Sequence, residues 1–120
     1  MTQDIDEIGA ARIKFYTELP RVTAFMAQQT QDVQDEYLGI VDKLEKEGRL
    51  QMPFGEKIKG KNLFAIRVIN AGNVRVFYVY GKNDRVFGIS GYQKTTRTIP
   101  RCELKLARKI SKALKKEGVI

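Results

Sequence analysis

Three runs of alternating apolar character follow one another between residues 63 and 92, and they leave the chain little choice of fold. Residues 63–69, 74–80 and 85–92 are rich in Val, Ile, Phe and Tyr, the types that suit a pleated, half-buried surface. Only Asn70-Ala71-Gly72-Asn73 and Gly81-Lys82-Asn83-Asp84 separate them. A parallel return needs a crossover of about a dozen residues or more, so connections this short join antiparallel neighbours. Gly and Asn tolerate the positive φ that tight turns demand. An antiparallel meander is predicted.

The flanking segments add a strand and helices. Residues 12–19 alternate, with Ile13, Phe15, Thr17 and Leu19 on one side and Arg12, Lys14, Tyr16 and Glu18 on the other; Pro20 stops the run. Proline suits the first turn of a helix, and Val22, Phe25 and Met26 then recur at helical spacing. The polar stretch Gln28-Gln29-Thr30-Gln31 marks a break, and Thr30 can cap a second helix bearing Val33, Tyr37, Ile40, Val41 and Leu44 and ended by Gly48. An antiparallel helical hairpin or one long kinked helix fits this stripe. Residues 49–61, with Pro53, Gly55 and Gly60, read as a loop. Residues 100–116 read as a closing helix that buries Leu104, Ala107, Ile110 and Leu114, with Gly118 just past its end. The fold class is therefore α+β: one domain over residues 1–120, with about four strands.

Composition narrows the chemistry. A chain of 120 residues fits one domain, and 42% apolar residues can sustain its core. There is no His and only one Cys, which excludes Cys/His zinc sites, Ser-His or Cys-His nucleophiles and an intrachain disulfide. Cys102 reads as a small packed residue near a helix start. The acidic start Met1-Thr-Gln-Asp-Ile-Asp-Glu is unlike a secretory or transit segment, and no apolar run approaches the roughly 18 residues that span a bilayer. A cytoplasmic protein with no membrane partner is expected.

Charge is unevenly placed. Residues 1–50 carry six basic and ten acidic side chains, whereas residues 51–120 carry sixteen basic and four acidic. The later segment calls for a polyanionic partner. Lys105, Lys109, Lys112, Lys115 and Lys116 recur along the closing helix and read as a solvated face. Strand parity sorts the rest. Phe64/Ile66/Val68, Val76/Tyr78/Tyr80 and Phe87/Ile89 are expected to face the helical hairpin, which leaves Arg67, Arg75, Ser90, Tyr92 and then Lys94 on an open face hollowed by Ala65 and Gly88. Arg67 and Arg75 could pair with acidic neighbours there. Otherwise a basic, aromatic-bearing hollow suits single-stranded RNA, or cradles a protein segment. Phe77 and Val79 share the open face, which implies that a partner covers it.

In their order and spacing, several segments carry a resemblance: Leu44-Glu-Lys-Glu-Gly48, Pro53 with Lys57 and Gly60, Leu63-Phe-Ala-Ile-Arg67, Val74-Arg75-Val-Phe-Tyr78, Tyr92-Gln-Lys94-Thr-Thr-Arg97-Thr-Ile-Pro100 and Glu103-Leu-Lys-Leu-Ala107. Together they resemble a RelE/HigB-type toxin of type II toxin-antitoxin systems, in the phage-derived HigB-like branch of the RelE/ParE superfamily. The resemblance implies a RelE-like fold, a twisted and mostly antiparallel sheet with helices on one face and the active cleft on the other. It also implies a ribosome-dependent endoribonuclease that cuts mRNA without a cofactor. The implied partners are a cognate antitoxin, the ribosome and mRNA, with an oligomeric toxin-antitoxin complex that binds its operator through the antitoxin. By position, the implied catalytic residues are Arg67, Arg75, Lys94 and Tyr92, with Arg97, Lys57 and Lys61 as RNA contacts. The chain departs from the pattern at Ala65 for a usual Glu, Ser90 for a frequent His, and Thr95 and Thr98 for lysines, and no Tyr follows Tyr92.

Metal-independent RNA cleavage needs a deprotonated 2′-hydroxyl, a stabilised phosphorane and a protonated 5′-oxygen. Without His, protons must move through Lys94, Tyr92, substrate groups or the ribosome. Neighbouring guanidinium groups are expected to lower the Lys94 pKa and to favour a tyrosinate at Tyr92. In this scheme Arg67 and Arg75 hold the scissile phosphate, Tyr92 stacks on a base and Arg97 grips the backbone. Two other readings remain: a ParE-like toxin that binds DNA gyrase without catalysis, and a non-toxic RNA- or ribosome-binding module.

Overall fold

Eight elements follow one another in the computed structural model: β1 (Phe15–Glu18), α1 (Pro20–Ala27), α2 (Gln31–Glu47), β2 (Gly55–Lys57), β3 (Phe64–Val68), β4 (Val74–Tyr80), β5 (Arg85–Gln93) and α3 (Arg101–Lys116). The structure describes residues 12–58 and 62–120, so the acidic start, Gly60 and Lys61 lie outside the described residues. The meander forms as its turns dictate, with β3, β4 and β5 paired antiparallel. Asn83 and Asp84 take the positive φ values, 58° and 62°, in the second turn. The sheet order is β1-β5-β4-β3-β2, and β1 runs parallel to β5. The α+β class holds, with five strands among the described residues.

The amino-terminal helical segment is two helices. Pro20 opens α1, which buries Val22 and Met26. The Thr30 hydroxyl accepts from the Val33 N–H at 3.3 Å to start α2, and Gly48 closes it at φ 81° while donating to the Leu44 carbonyl at 2.8 Å. Their buried side chains pack with Ile66, Val68, Val74, Val76, Tyr78 and Val86 on one sheet face.

In β1 the apolar alternation is misleading. Ile13 and Phe15 are exposed, while Tyr16 and Glu18 turn inward. The Tyr16 and Tyr37 hydroxyls share a 2.8 Å hydrogen bond and Tyr37 donates to a Glu18 carboxylate oxygen at 2.8 Å, so the helix draws the polar side of the strand toward it. The connector before β3 also contains structure. Gly55 to Lys57 form the edge strand β2, opposite Ile66, Ala65 and Phe64.

The second sheet face is covered by the chain itself. Helix α3 lays Ala107 and Leu114 over Leu63, Ala65, Phe77, Val79, Phe87, Ile89 and Tyr92, with Ile99, Leu104 and Ile110 packed around them. Phe77 and Val79 are fully buried by this helix, which removes the need for a partner there. Helices therefore occupy both faces. A bulge in β5 also reassigns its early residues. Phe77 pairs with Ser90 but Tyr78 pairs with Gly88, so Ile89 is the extra residue. Phe87 and Ile89 consequently face α3, whereas Gly88 meets the helix-hairpin side, where an added Cβ would fall 2.0 Å from the Tyr16 hydroxyl oxygen. Gly88 thus hollows nothing on the α3 face.

Glu36 of α2 ties the β3–β4 turn to the helix layer. Its carboxylate accepts from the backbone N–H groups of Ile69 at 3.0 Å, Asn70 at 3.2 Å and Ala71 at 2.7 Å. Burial works to raise its pKa, but the three N–H donors and the Asn70 amide outweigh it and hold the carboxyl below its usual range. Its stabilising contribution is complete above the unfolded value, about 4.3, and is lost as pH falls through the lower folded value. Glu36→Gln is expected to cost about 1 kcal/mol at neutral pH, a deficit that closes in acid. Urea unfolding of both proteins across that range checks it; a deficit independent of pH would assign the loss to geometry instead.

Candidate active site

Three of the predicted residues form one cross-strand row. Arg67 of β3 lies directly opposite Arg75 of β4, which lies directly opposite Tyr92 of β5, all on the α3 face. The next row on that face is Glu56, Ala65, Phe77 and Ser90. Like charges directly opposite in a ladder destabilise a sheet, so the Arg67–Arg75 pairing opposes folding.

Among the described residues no carboxylate makes an ion pair with Arg67 or Arg75, so the alternative of acidic pairing is not seen there. Arg75 is 3% exposed and Arg67 is half-buried. One Arg75 terminal nitrogen donates to the Val74 carbonyl at 3.1 Å, and one from Arg67 donates to the Pro53 carbonyl at 3.1 Å. The Nε atoms of both are buried with no hydrogen-bond partner among the described residues. Burial pulls the Arg75 pKa down and the Arg67 charge pulls it further, against the opposing influence of Tyr92 and Glu56. Guanidinium groups remain protonated regardless, so what results is a concentrated and under-bonded positive charge.

Tyr92 differs from its predicted role. Its ring stacks on Phe77 with centroids 5.5 Å apart, and the residue is 6% exposed, so that face of the ring is not free for a base. Its pKa is raised rather than lowered: burial dominates the opposing Arg75 charge, and Glu56 and Glu103 add to it. The expected tyrosinate is replaced by a neutral phenol. Lys94, just past β5, is half-buried and held by a 2.8 Å bond from its N–H to the Asn73 carbonyl. Arg97 is exposed in the segment leading to α3. Lys57 is not part of the row; it pairs with Phe64 and its ammonium lies 5.9 Å from that ring, on the other sheet face. Lys61 lies outside the described residues.

Glu56 is the site residue that sequence reasoning missed. Its charge acts on both Arg75 and Tyr92, yet it sits on the strand concealed in the predicted loop. The usable signal was the spacing of residues 55–57 ahead of 64–66, separated by a short Gly- and Lys-containing stretch of sequence.

The sequence matches the phage-derived Gp49-like protein family over residues 24–112, a span that contains the whole arginine–tyrosine row. The chain belongs to that family. No curated protein sequence matches this Gp49-like protein. Its fold is similar to a chain of the intact Escherichia coli RelBE toxin-antitoxin complex, with a TM-score of 0.58 at 15% identity over 69% of this chain and 99% of that one. A chain of the archaeal RelE-RelB complex from Pyrococcus horikoshii gives 0.60 at 19% identity, over 72% and 99%. The isolated Escherichia coli RelE toxin gives 0.57 at 15% identity, over 86% and 97%. The Gp49-like protein therefore has a RelE-like fold. Among its described residues, no helix is long and apolar enough to cross a membrane.

Proposed function

We propose that this Gp49-like protein is the toxin of a type II toxin-antitoxin system, of the HigB-like branch, and acts as a ribosome-dependent mRNA endoribonuclease. The observation that carries this reading is the opposed pair Arg67 and Arg75, buried Nε atoms unpartnered, on a RelE-like sheet. A fold tolerates such a pair where an anion completes it, and the scissile phosphate is that anion. The Escherichia coli RelBE structure is a toxin-antitoxin complex, and an antitoxin is the partner proposed for this chain.

In the proposed reaction the 2′-oxygen attacks phosphorus while the bond to the 5′-oxygen breaks, giving a 2′,3′-cyclic phosphate and a free 5′-hydroxyl. Arg67 and Arg75 bear the charge that develops on the phosphorane. The Glu56 carboxylate accepts the 2′-hydroxyl proton, and the neutral Tyr92 phenol supplies one to the departing oxygen. Lys94 and Arg97 add positive charge along the RNA. Arg75 and Tyr92 are buried, so in this reading substrate enters from half-buried Arg67.

Primer extension on cellular mRNA after induction tests the reading. Codon-phased cuts are expected, and a 2′-deoxy substitution at the cleavage point should abolish them. Intact mRNA with damaged DNA would replace this proposal by the gyrase-binding one, and neither effect would leave a non-toxic binding module.

A further inference from the structure

A second basic feature lies at the far end of the same sheet face. A groove of about 440 Å³ opens between the carboxyl-terminal half of α3 and the start of β3, lined by Asn62, Leu63, Arg108, Lys112, Lys115 and Ile120. Arg108, Lys112 and Lys115 follow at i, i+4 and i+7, which sets them along one side of the helix over about 10 Å. All three are exposed, and among the described residues none is in an ion pair. Among the described residues no acidic side chain lines the groove. The opposite wall is fixed, because the Asn62 amide donates to the Tyr80 carbonyl at 2.7 Å and accepts from the Tyr80 N–H at 3.1 Å.

We infer that this groove is a phosphate-binding subsite for single-stranded RNA, separate from the arginine–tyrosine row. Two points fit an RNA strand better than an acidic helix. The volume suits a ligand of nucleotide size rather than several helical turns. Unpaired cations on a rigid helix, with no aromatic ring among the lining residues, match recognition of a backbone without regard to base. Leu63, just before β3, and Arg67 on it lie on the α3 side four residues apart, about 13 Å along an extended chain. An extended strand that reaches the arginines therefore passes the groove within a few nucleotides. The stripe that reads in sequence as a merely solvated lysine face is in part a ligand wall.

Binding of fluorescein-labelled oligouridylate, followed by anisotropy, tests the inference without relying on cleavage. The triple variant Arg108→Glu, Lys112→Glu, Lys115→Glu is compared with Lys105→Glu, Lys109→Glu, Lys116→Glu, which makes the same charge change on the next stripe of α3. The groove variant is expected to weaken binding at least tenfold relative to that control. The slope of log affinity against log salt should fall by about 2, from three lost contacts at about 0.7 each. Equal losses in the two variants would reduce the effect to general electrostatics and overturn the subsite. Polyglutamate that binds equally well and depends on the same three residues would instead make the groove a protein-docking site. Because the comparison of the two variants reads binding rather than cleavage, a failed nuclease reading leaves this result interpretable. Circular dichroism confirms that the exposed substitutions leave the fold intact.

Discussion

Arg75→Met is expected to raise thermal stability and disable the protein in one step. In the folded chain Arg75 is 3% exposed, its Nε has no partner and another guanidinium stands directly across the ladder. Burial and that neighbouring charge both disfavour the cation. A methionine stem fills much of the same volume with no charge to desolvate. Exchanging buried charge for apolar packing is commonly neutral or stabilising by about 1 to 4 kcal/mol. A gain of about 1 kcal/mol is expected here, because one terminal nitrogen still bonds to the Val74 carbonyl, and it should appear as a rise of several degrees in Tm. The rate of mRNA cleavage should fall by about 10² to 10³, the usual loss on removing one donor to a developing oxyanion. Arg67→Met should cost similar activity with little stabilisation, since Arg67 is partly solvated and bonded to the Pro53 carbonyl. A lower Tm for Arg75→Met would make Arg75 a structural residue, and undiminished toxicity would remove it from the reaction. The two outcomes are independent readouts of the same buried charge.

That charge was legible in sequence, and its surroundings were not. Period-two patterns and short turns determine the meander, so Arg67, Arg75 and Tyr92 fall on one face by parity alone. Parity fails where a strand gains a residue. The bulge at Ile89 has no signature among Phe87, Gly88 and Ser90, and it swaps the faces of the strand's first half while leaving Tyr92 correct. The edge strand at residues 55–57 escapes notice for another reason. A short edge carrying Glu56 and Lys57 is built to discourage pairing, and its composition is that of a loop. In β1, hydroxyl and carboxylate contacts to α2 override the apolar alternation, a tertiary effect that no local window contains. The placement of α3 is the largest gap. Its amphipathic stripe shows that it packs, but not on which side of the sheet. Phe77 and Val79 were the clue, because their apolar character on the supposed open face required a cover, and the chain supplies its own.

Phe77→Ala is expected to be the most destabilising substitution at the site, by about 3 to 5 kcal/mol. Phe77 has no exposed surface, stands between Ala65 and Ser90 in its row, and carries the Tyr92 ring stacked at 5.5 Å. Truncation leaves a cavity that these small neighbours cannot fill, under a helix already tied to the face by only a few buried residues. Domains are typically stable by about 5 to 15 kcal/mol, so such a loss takes a large share of the total. The loss also reaches the chemistry. Without the stack Tyr92 gains room beside Arg75, burial no longer holds its pKa up as strongly, and the phenol drifts toward its ordinary value. Phe77→Leu separates the two effects: it retains most of the packing, so much of the stability should return, but it cannot restore the ring stack. Urea unfolding should therefore place the Leu variant well above the Ala variant. A spectrophotometric titration of tyrosine absorbance should show one phenol titrating at lower pH in the Leu variant than in the unmodified protein. Equal unfolding midpoints for the two variants would show that the ring contact, not filled volume, holds this face together.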